Sequence, residues 1–358
     1  MNDLKEEALQ LLKSLIETPS ISREEDQTAL LLSSYLTEKN ISWERSGNNV
    51  WAKNKDFNPA LPSLLLNSHH DTVKPNQGYT RDPFRAIEEN GKLYGLGSND
   101  AGGCLVSLVA TFVFFYEKKL PYNLILAATA EEEISGKNGI ESLLPMLPVL
   151  ELAIVGEPTL LQMAVAEKGL VVIDAVIKGK AGHAARNEGI NAIYLALDDL
   201  AIIRDYEFRK SSDYLGKNKV TATIIQAGSQ HNVVPDTCTY TLDVRVTDSH
   251  TLEEILDELQ QQVKAVLTPR SLRLNSSRID PAHKIIKLAD KLGIKQYGSP
   301  TLSDQALIPY PSVKIGPGDS ARSHTPDEFI YVHEIYDGID AYINLLNHYF
   351  ELNETDKI

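Results

Sequence analysis

Leu124-Ile125-Leu126-Ala127-Ala128-Thr129-Ala130-Glu131-Glu132-Glu133 is a short apolar run that ends in three successive carboxylates. An apolar stretch of this length suits a strand buried on both faces, as in the parallel sheets of α/β proteins. Adjacent carboxylates repel, so a cation is expected to hold them at the strand's carboxyl end. A pair placed there can give one residue to a metal and leave the next as a base for the attacking water.

Outward from this run, residues 64–66 and 152–155 read as two further short buried strands, and 104–116 as a mostly apolar helix. Amphipathic spacing predicts helices over 4–16 and 28–37. The turn Thr18-Pro19-Ser20-Ile21-Ser22 lies between them and places Ser22 to cap the second helix. Strand and helix alternate through residues 1–169, which implies an α/β layered domain with a mostly parallel mixed sheet. The same texture returns over 281–358, with helices at 282–292 and 333–350, an apolar segment at 307–308 and a Gly/Pro loop at 316–318. Residues 170–280 read differently. Strands at 170–178, 220–227 and 237–246, helices at 190–203 and 252–267, and a last short strand give the β-α-β-β-α-β order of a ferredoxin-like α+β domain, inserted into the first.

The 358 residues are 42% apolar, enough for two cores. A formal charge of -14 with no Lys/Arg block disfavours nucleic acid and anionic membranes as partners. No leader pattern opens the sequence, and no apolar run approaches the roughly 20 residues of a membrane span, so a cytoplasmic protein is expected. Cys104 and Cys238 are far apart and read as reduced, buried thiols. Any metal must then rest on His, Asp and Glu.

Four other segments offer such residues. His69-His70-Asp71 follows the 64–66 strand, where open α/β sheets place their sites. His69 can bind a metal while Asp71, two residues on, orients a ligand or the base. The alternative is an exposed pair of loop histidines. Gly95-Leu96-Gly97-Ser98-Asn99-Asp100-Ala101-Gly102-Gly103 invites a phosphate-loop reading, but Asp100 would repel pyrophosphate and no Gly-Lys-Ser/Thr follows. A carboxylate among small residues suits a ligand that the backbone approaches closely; an ordinary glycine turn before a helix is the alternative. Gly156-Glu157-Pro158 puts another carboxylate at a strand end, and Gly316-Pro317-Gly318 leads to His324. Alone, Glu157 could be a solvated turn residue and His324 a histidine flanking a helix. With His69, Asp100 and Glu133 they make two imidazoles and three carboxylates, enough for two zinc ions if one carboxylate bridges.

In this order, Ser-His69-x-Asp71, Gly-x-Gly-x-x-Asp100, Glu132-Glu133, Gly-Glu157-Pro and Gly-Pro-Gly through His324 resemble the aminoacylase, acetylornithine deacetylase and succinyl-diaminopimelate desuccinylase family of dinuclear zinc hydrolases, over nearly the whole chain. The resemblance implies a zinc-peptidase-like catalytic domain interrupted by a dimerisation, or lid, domain. It also implies two zinc ions, with cobalt as a possible substitute. His69 and Glu157 would bind one, His324 and Glu133 the other, and Asp100 would bridge them. Asp71 would support the ligands, Glu132 would be the general acid/base, and Glu131 a flanking surface carboxylate. The Asp100-Ala101 peptide would be cis. His183, in Gly182-His183-Ala184, would enter the partner subunit's site to stabilise the oxyanion; a simple βα turn is the other reading. Asn232 and Arg245 match segments associated with binding the substrate carboxylate, with Lys168 and Arg322 as weaker candidates. An Arg at that place is as often a surface ion pair. The sequence departs from the family pattern at Ser68, commonly Gly, at Leu96, commonly Arg, and at Ala101-Gly102, commonly Met-Lys.

The function implied is a homodimeric deacylase acting on a small N-acyl amino acid, closest to the acetylornithine deacetylase type of arginine biosynthesis. Desuccinylases, carrier-linked lysine or ornithine hydrolases, and dipeptidases or aminopeptidases share the pattern. A non-catalytic binding module on the same scaffold would have lost a ligand or the base, and none is lost.

Overall fold

The apolar runs become the centre of one sheet because both of its faces are covered. In the computed structural model, which describes residues 1–355, the sheet order is Trp43–Ser46, Asn49–Lys53, Asn123–Thr129, Ser63–His69, Leu150–Val155, Ser312–Lys314. The last four are mutually parallel, and the first two turn back antiparallel at one flank. Beyond Ser312–Lys314, Lys314 pairs antiparallel with Ala164.

Side chains alternate between the two faces, as the strand period of two requires. Leu64, Leu66, Leu124, Leu126, Leu152 and Ile154 pack into the core shared with helices Asn2–Ile16, Gly103–Phe115 and Val332–Thr355. Leu65, Ile125, Ala127, Ala153 and Val155 join Trp51 and Ile140 in the core of the opposite face. Ser98–Phe115 has the length and apolarity of a bilayer span, contrary to the expectation that no such run exists, but 83% of it is buried inside the protein.

The chain divides into two compact units. One comprises Met1–Val165, Ile279–Tyr297 and residues from Ser303 onward; the other comprises Ala166–Arg278 with Gly298–Leu302. In the second, the sheet order Lys219–Ala227, Thr237–Val246, Gly169–Lys178, Val266–Pro269 is antiparallel throughout. In chain order these are the second, third, first and fourth strands, the ferredoxin-like arrangement. Val171, Ile173, Ala175 and Ile177 face a core with Tyr240, Leu242, Val244 and residues of helices Ala192–Asp205 and Leu252–Gln260.

Two local expectations are corrected. The helix expected over 252–267 stops at Gln260, whose side chain bonds the carbonyl of Ala265 and the N–H of Leu267 and so starts the Val266–Pro269 strand. Ser22 does not cap the second helix. That helix, Asp26–Glu38, begins after Glu25, and the Ser22 hydroxyl donates instead to Asp71 at 2.7 Å.

Candidate metal centre

Parallel strands deliver their carboxyl ends to one edge of the sheet, and register decides which residues meet there. His69 pairs with Thr129, the residue that precedes the acidic turn, and Asn67 pairs with Val155, two residues before Glu157. Glu131 adopts a left-handed backbone, φ 55°, and the next three residues form a single turn, so Glu132 and Glu133 leave the strand end together. Asp100 stands in the turn before helix Gly103–Phe115, and its peptide bond to Ala101 is cis, as expected. His324 follows the turn Ser320–Arg322.

The side chains converge. His69 Nε2 lies 3.4 Å from Asp100 Oδ1, 3.7 Å from Glu157 Oε1 and 3.8 Å from Glu132 Oε2. His324 Nε2 lies 2.9 Å from Glu133 Oε2 and 3.6 Å from Asp100 Oδ2. Asp100 thus turns one oxygen to each imidazole. Among the described residues, two sets of possible ligand atoms lie within 4.8 Å of one another: His69, Glu132 and Glu157, and His69, Asp100 and Glu133. Donors on one tetrahedral zinc, each about 2.1 Å from it, stand about 3.4 Å apart, close to these separations.

The imidazole of His69 supplies a further test. Its Nδ1 faces the Asp71 carbonyl at 3.0 Å, which places the proton there and leaves a lone pair on Nε2. That Nε2 is buried and has no hydrogen-bond partner. A buried acceptor directed at three carboxylates is unfavourable unless a cation lies between them. Protonation preferences express the same field. Burial alone would lower the His69 pKa, but Glu132, Asp100, Asp71 and Glu157 hold it well above the ordinary imidazole value. The hydrogen bond that His324 donates to Glu133 raises its pKa to about 9. Burial pushes Glu132 well above the carboxylate range and Glu157 to about 8. A site that draws protons attracts other cations, and imidazole with carboxylate offers donors to a divalent metal. Cys104 is not a ligand here, since its thiol donates a hydrogen bond to the Pro317 carbonyl.

Asp71, 1% exposed, connects the two arms of the centre. Its carboxylate accepts the N–H groups of Glu132 at 3.0 Å and Glu133 at 3.2 Å, the Ser22 hydroxyl, and sits 3.3 Å from His69 Nδ1. His70 points away: Nδ1 meets the Thr28 hydroxyl, Nε2 meets the Asn48 carbonyl, and burial lowers its pKa to about 4. Glu131 is not the surface carboxylate that the sequence suggests. It is 6% exposed, accepts the Asn138 side-chain amide at 2.8 Å, and gives its N–H to Glu25, which fastens the acidic turn from behind. Ser68, a departure from the family pattern, donates its hydroxyl to the Gly156 carbonyl beside Glu157.

Besides Glu25, sequence reasoning missed the buried carboxylates of Asp304 and Glu328. Asp304 accepts Asn67 at 2.8 Å and the Thr129 hydroxyl at 2.7 Å beneath the strand ends, and burial lifts its pKa to about 6. Glu328 accepts backbone N–H groups of the Asp100 turn. The only sequence signal for Glu328 was an acidic pair, Asp327-Glu328, shortly after His324.

The remaining candidates behave as follows. Arg322 forms a two-pronged pair with Glu334, both contacts at 2.7 Å. In the second unit, Gly182–His183 pairs with Val233–Val234, and Ala184 bonds the Asn232 carbonyl, so His183 and Asn232 are neighbours. The His183 ring is exposed, with Nδ1 accepting the Ala185 N–H. Arg245 pairs with Asp243 at 2.9 and 3.1 Å, the surface ion pair that was its alternative reading. Lys168 donates to the Lys217 carbonyl.

The model of peptidase family M20/M25/M40 matches residues 65–348. Acetylornithine deacetylase of Shigella sonnei (strain Ss046) is 29% identical over 95% of this chain and 97% of its own length. The enzyme of that name from Proteus mirabilis (strain HI4320) is 30% identical over 90% and 91%. Among solved structures, the YXEP protein of Bacillus subtilis, a dinuclear metal binding peptidase from the M20 family, superposes with a TM-score of 0.77 at 17% identity, covering 98% of this chain and 99% of that one.

Asp71→Asn keeps the size of the side chain but replaces an acceptor oxygen with an amide donor facing N–H groups. We expect metal affinity to fall about 10- to 100-fold, measured by chelator competition, and unchanged affinity would remove Asp71 from the centre's support.

Proposed function

The chain belongs to the M20/M25/M40 peptidase family, and within it we propose a zinc-dependent deacylase that hydrolyses the amide between a small acyl group and an amino acid's nitrogen, with N-acetylornithine or N-succinylornithine as substrate. The family makes the protein a hydrolase of the metallopeptidase and amidohydrolase class. The observation that carries the finer reading is similarity to two acetylornithine deacetylases across 90% or more of the chain. We place the reaction in arginine biosynthesis in the cytoplasm; two buried free cysteines suit a reducing compartment.

Two zinc ions, one held by His69 and Glu157, the other by His324 and Glu133, with Asp100 between, would polarise the amide carbonyl and acidify water. Glu132 then has the proton work. One carboxylate oxygen takes a proton from the attacking water as the C–O bond forms, and the same group gives it to the nitrogen as the C–N bond breaks. Asp71 fixes the direction of Glu132 and Glu133 through their N–H groups, and fixes the His69 tautomer. Asn232 would meet the substrate carboxylate; Arg245 would have to leave Asp243 to do so.

A second copy of the chain is part of this reading. Lys219–Ala227 is an edge strand, with Ile224 and Ile225 about half exposed, and it packs beside a helix that exposes Tyr194 and Leu197. A long apolar edge of this kind calls for cover, and a second copy supplies it. The exposed His183 would then serve the partner's oxyanion.

Glu132→Gln should lower turnover by about 10²-fold or more with both metals retained, whereas Glu133→Ala should lower metal content; elemental analysis beside kinetics checks both, and the reverse pattern would exchange their roles. Steady-state assays on acetylated and succinylated ornithine and on dipeptides should favour the acylated amino acids, and activity on peptides alone would end the deacylase reading. Mixing Glu132→Gln and His183→Ala subunits should restore about a quarter of wild-type activity, since half of random dimers are mixed and each carries one complete site. No recovery, or full activity in a monomer, would remove His183 from the partner's site.

A further inference from the structure

The glycine-rich turn Gly95–Gly103 does close around a carboxyl group, and that group belongs to the chain itself. Glu328, 1% exposed, accepts the N–H groups of Asn99 at 2.8 Å and Asp100 at 2.9 Å on Oε1, and that of Gly97 at 3.2 Å on Oε2. Its backbone carbonyl accepts the Gly95 N–H at 3.0 Å. These amides converge because Gly95 and Gly97 adopt φ of +149° and +74°; at Gly97 an added Cβ would also lie 2.6 Å from Thr72 Cγ2. Backbone N–H groups turned inward around one point form an anion-binding concavity.

The same turn holds the other end of the His324 loop. Asn99 exchanges two hydrogen bonds with the backbone of Asp319: its Oδ1 accepts the N–H and its Nδ2 donates to the carbonyl, both at 3.0 Å. Asn99 Nδ2 also reaches the Ser323 hydroxyl at 3.4 Å. The segment 319–328 is therefore tied to the Asp100 turn at both ends, with His324 between the ties.

We propose that Glu328 is a positioning residue that seats Asp100 against the His324 loop, so that the second metal ion is held only while this internal carboxylate fills the glycine turn. The proposal rests on the reading of Asp100 and His324 as ligands. Its chemistry is that of an outer residue orienting a ligand through the backbone. Glu328→Gln keeps the shape but sets an NH₂ group against the inward N–H groups. Glu328→Ala empties the concavity.

The test is stepwise titration of cobalt(II) into metal-depleted full-length protein, read by visible absorption and chelator competition. Unfolding midpoints of the depleted forms are measured alongside. Wild type should take up two ions. Because Asp100 faces both sites but only the second depends on the His324 loop, Glu328→Gln should lose about tenfold or more for the second ion and clearly less for the first, with Glu328→Ala losing more. A role in general stability alone would shift the unfolding midpoint and leave both affinities intact. Wild-type affinity for both ions in the variants, or equal weakening of both, would overturn the proposal. If Glu328→Ala does not fold, Glu328→Gln decides. Fewer than two ions in wild type would instead defeat the metal-centre reading beneath it.

Discussion

Repulsion among buried carboxylates is the constraint around which the catalytic unit is arranged. Asp71, Asp100, Glu132, Glu133 and Glu157 crowd against two imidazoles at one sheet edge, and burial penalises every charge there. An unpaired charge inside a protein costs several kcal/mol, so the fold must supply donors, and a cation must supply the rest. The donors are largely backbone. Asp71 takes two N–H groups and Glu328 takes three, so the main chain neutralises the carboxylates that do not face the cation.

That division separates two kinds of acid in the same few ångströms. Carboxylates saturated by N–H groups and hydroxyls set directions; those left facing an imidazole are available for chemistry. Asp304, held by Asn67 and Thr129, belongs to the first kind, and Glu157, facing His69, to the second. The glycine turn illustrates the economy of the arrangement. Its inward amides are occupied by a side chain from more than 220 residues away in sequence.

Much of this was legible from local pattern. Apolar runs of strand length ended where His69, Glu132, Glu133 and Glu157 stand, and parallel neighbours carry such ends to one edge. The ferredoxin-like order of the second unit followed from its alternating strands. What local pattern could not show were partners distant in sequence. Ser22 looked like a helix cap because its neighbours are helical, yet its hydroxyl belongs to Asp71. Glu131 looked superfluous beside Glu132 and Glu133, yet Asn138 and Glu25 hold it in a buried place. Glu328 carried no signal beyond an acidic dipeptide, since its partners are amides that a one-dimensional reading cannot place.

The order of the site residues along the chain has a consequence for biogenesis. His69, Asp100, Glu132, Glu133 and Glu157 precede the second unit, while the Ser312–Lys314 strand, His324 and Glu328 follow it. During synthesis the first group leaves the ribosome well before its counterparts, and the inserted unit has its own core on which to fold in the interval. The nascent chain therefore carries an acidic, histidine-bearing half-site that lacks its closing loop. On the reading of His324 as a ligand, the centre closes only when that loop has joined the earlier segments, so the nascent chain stays inert until the second unit has been passed.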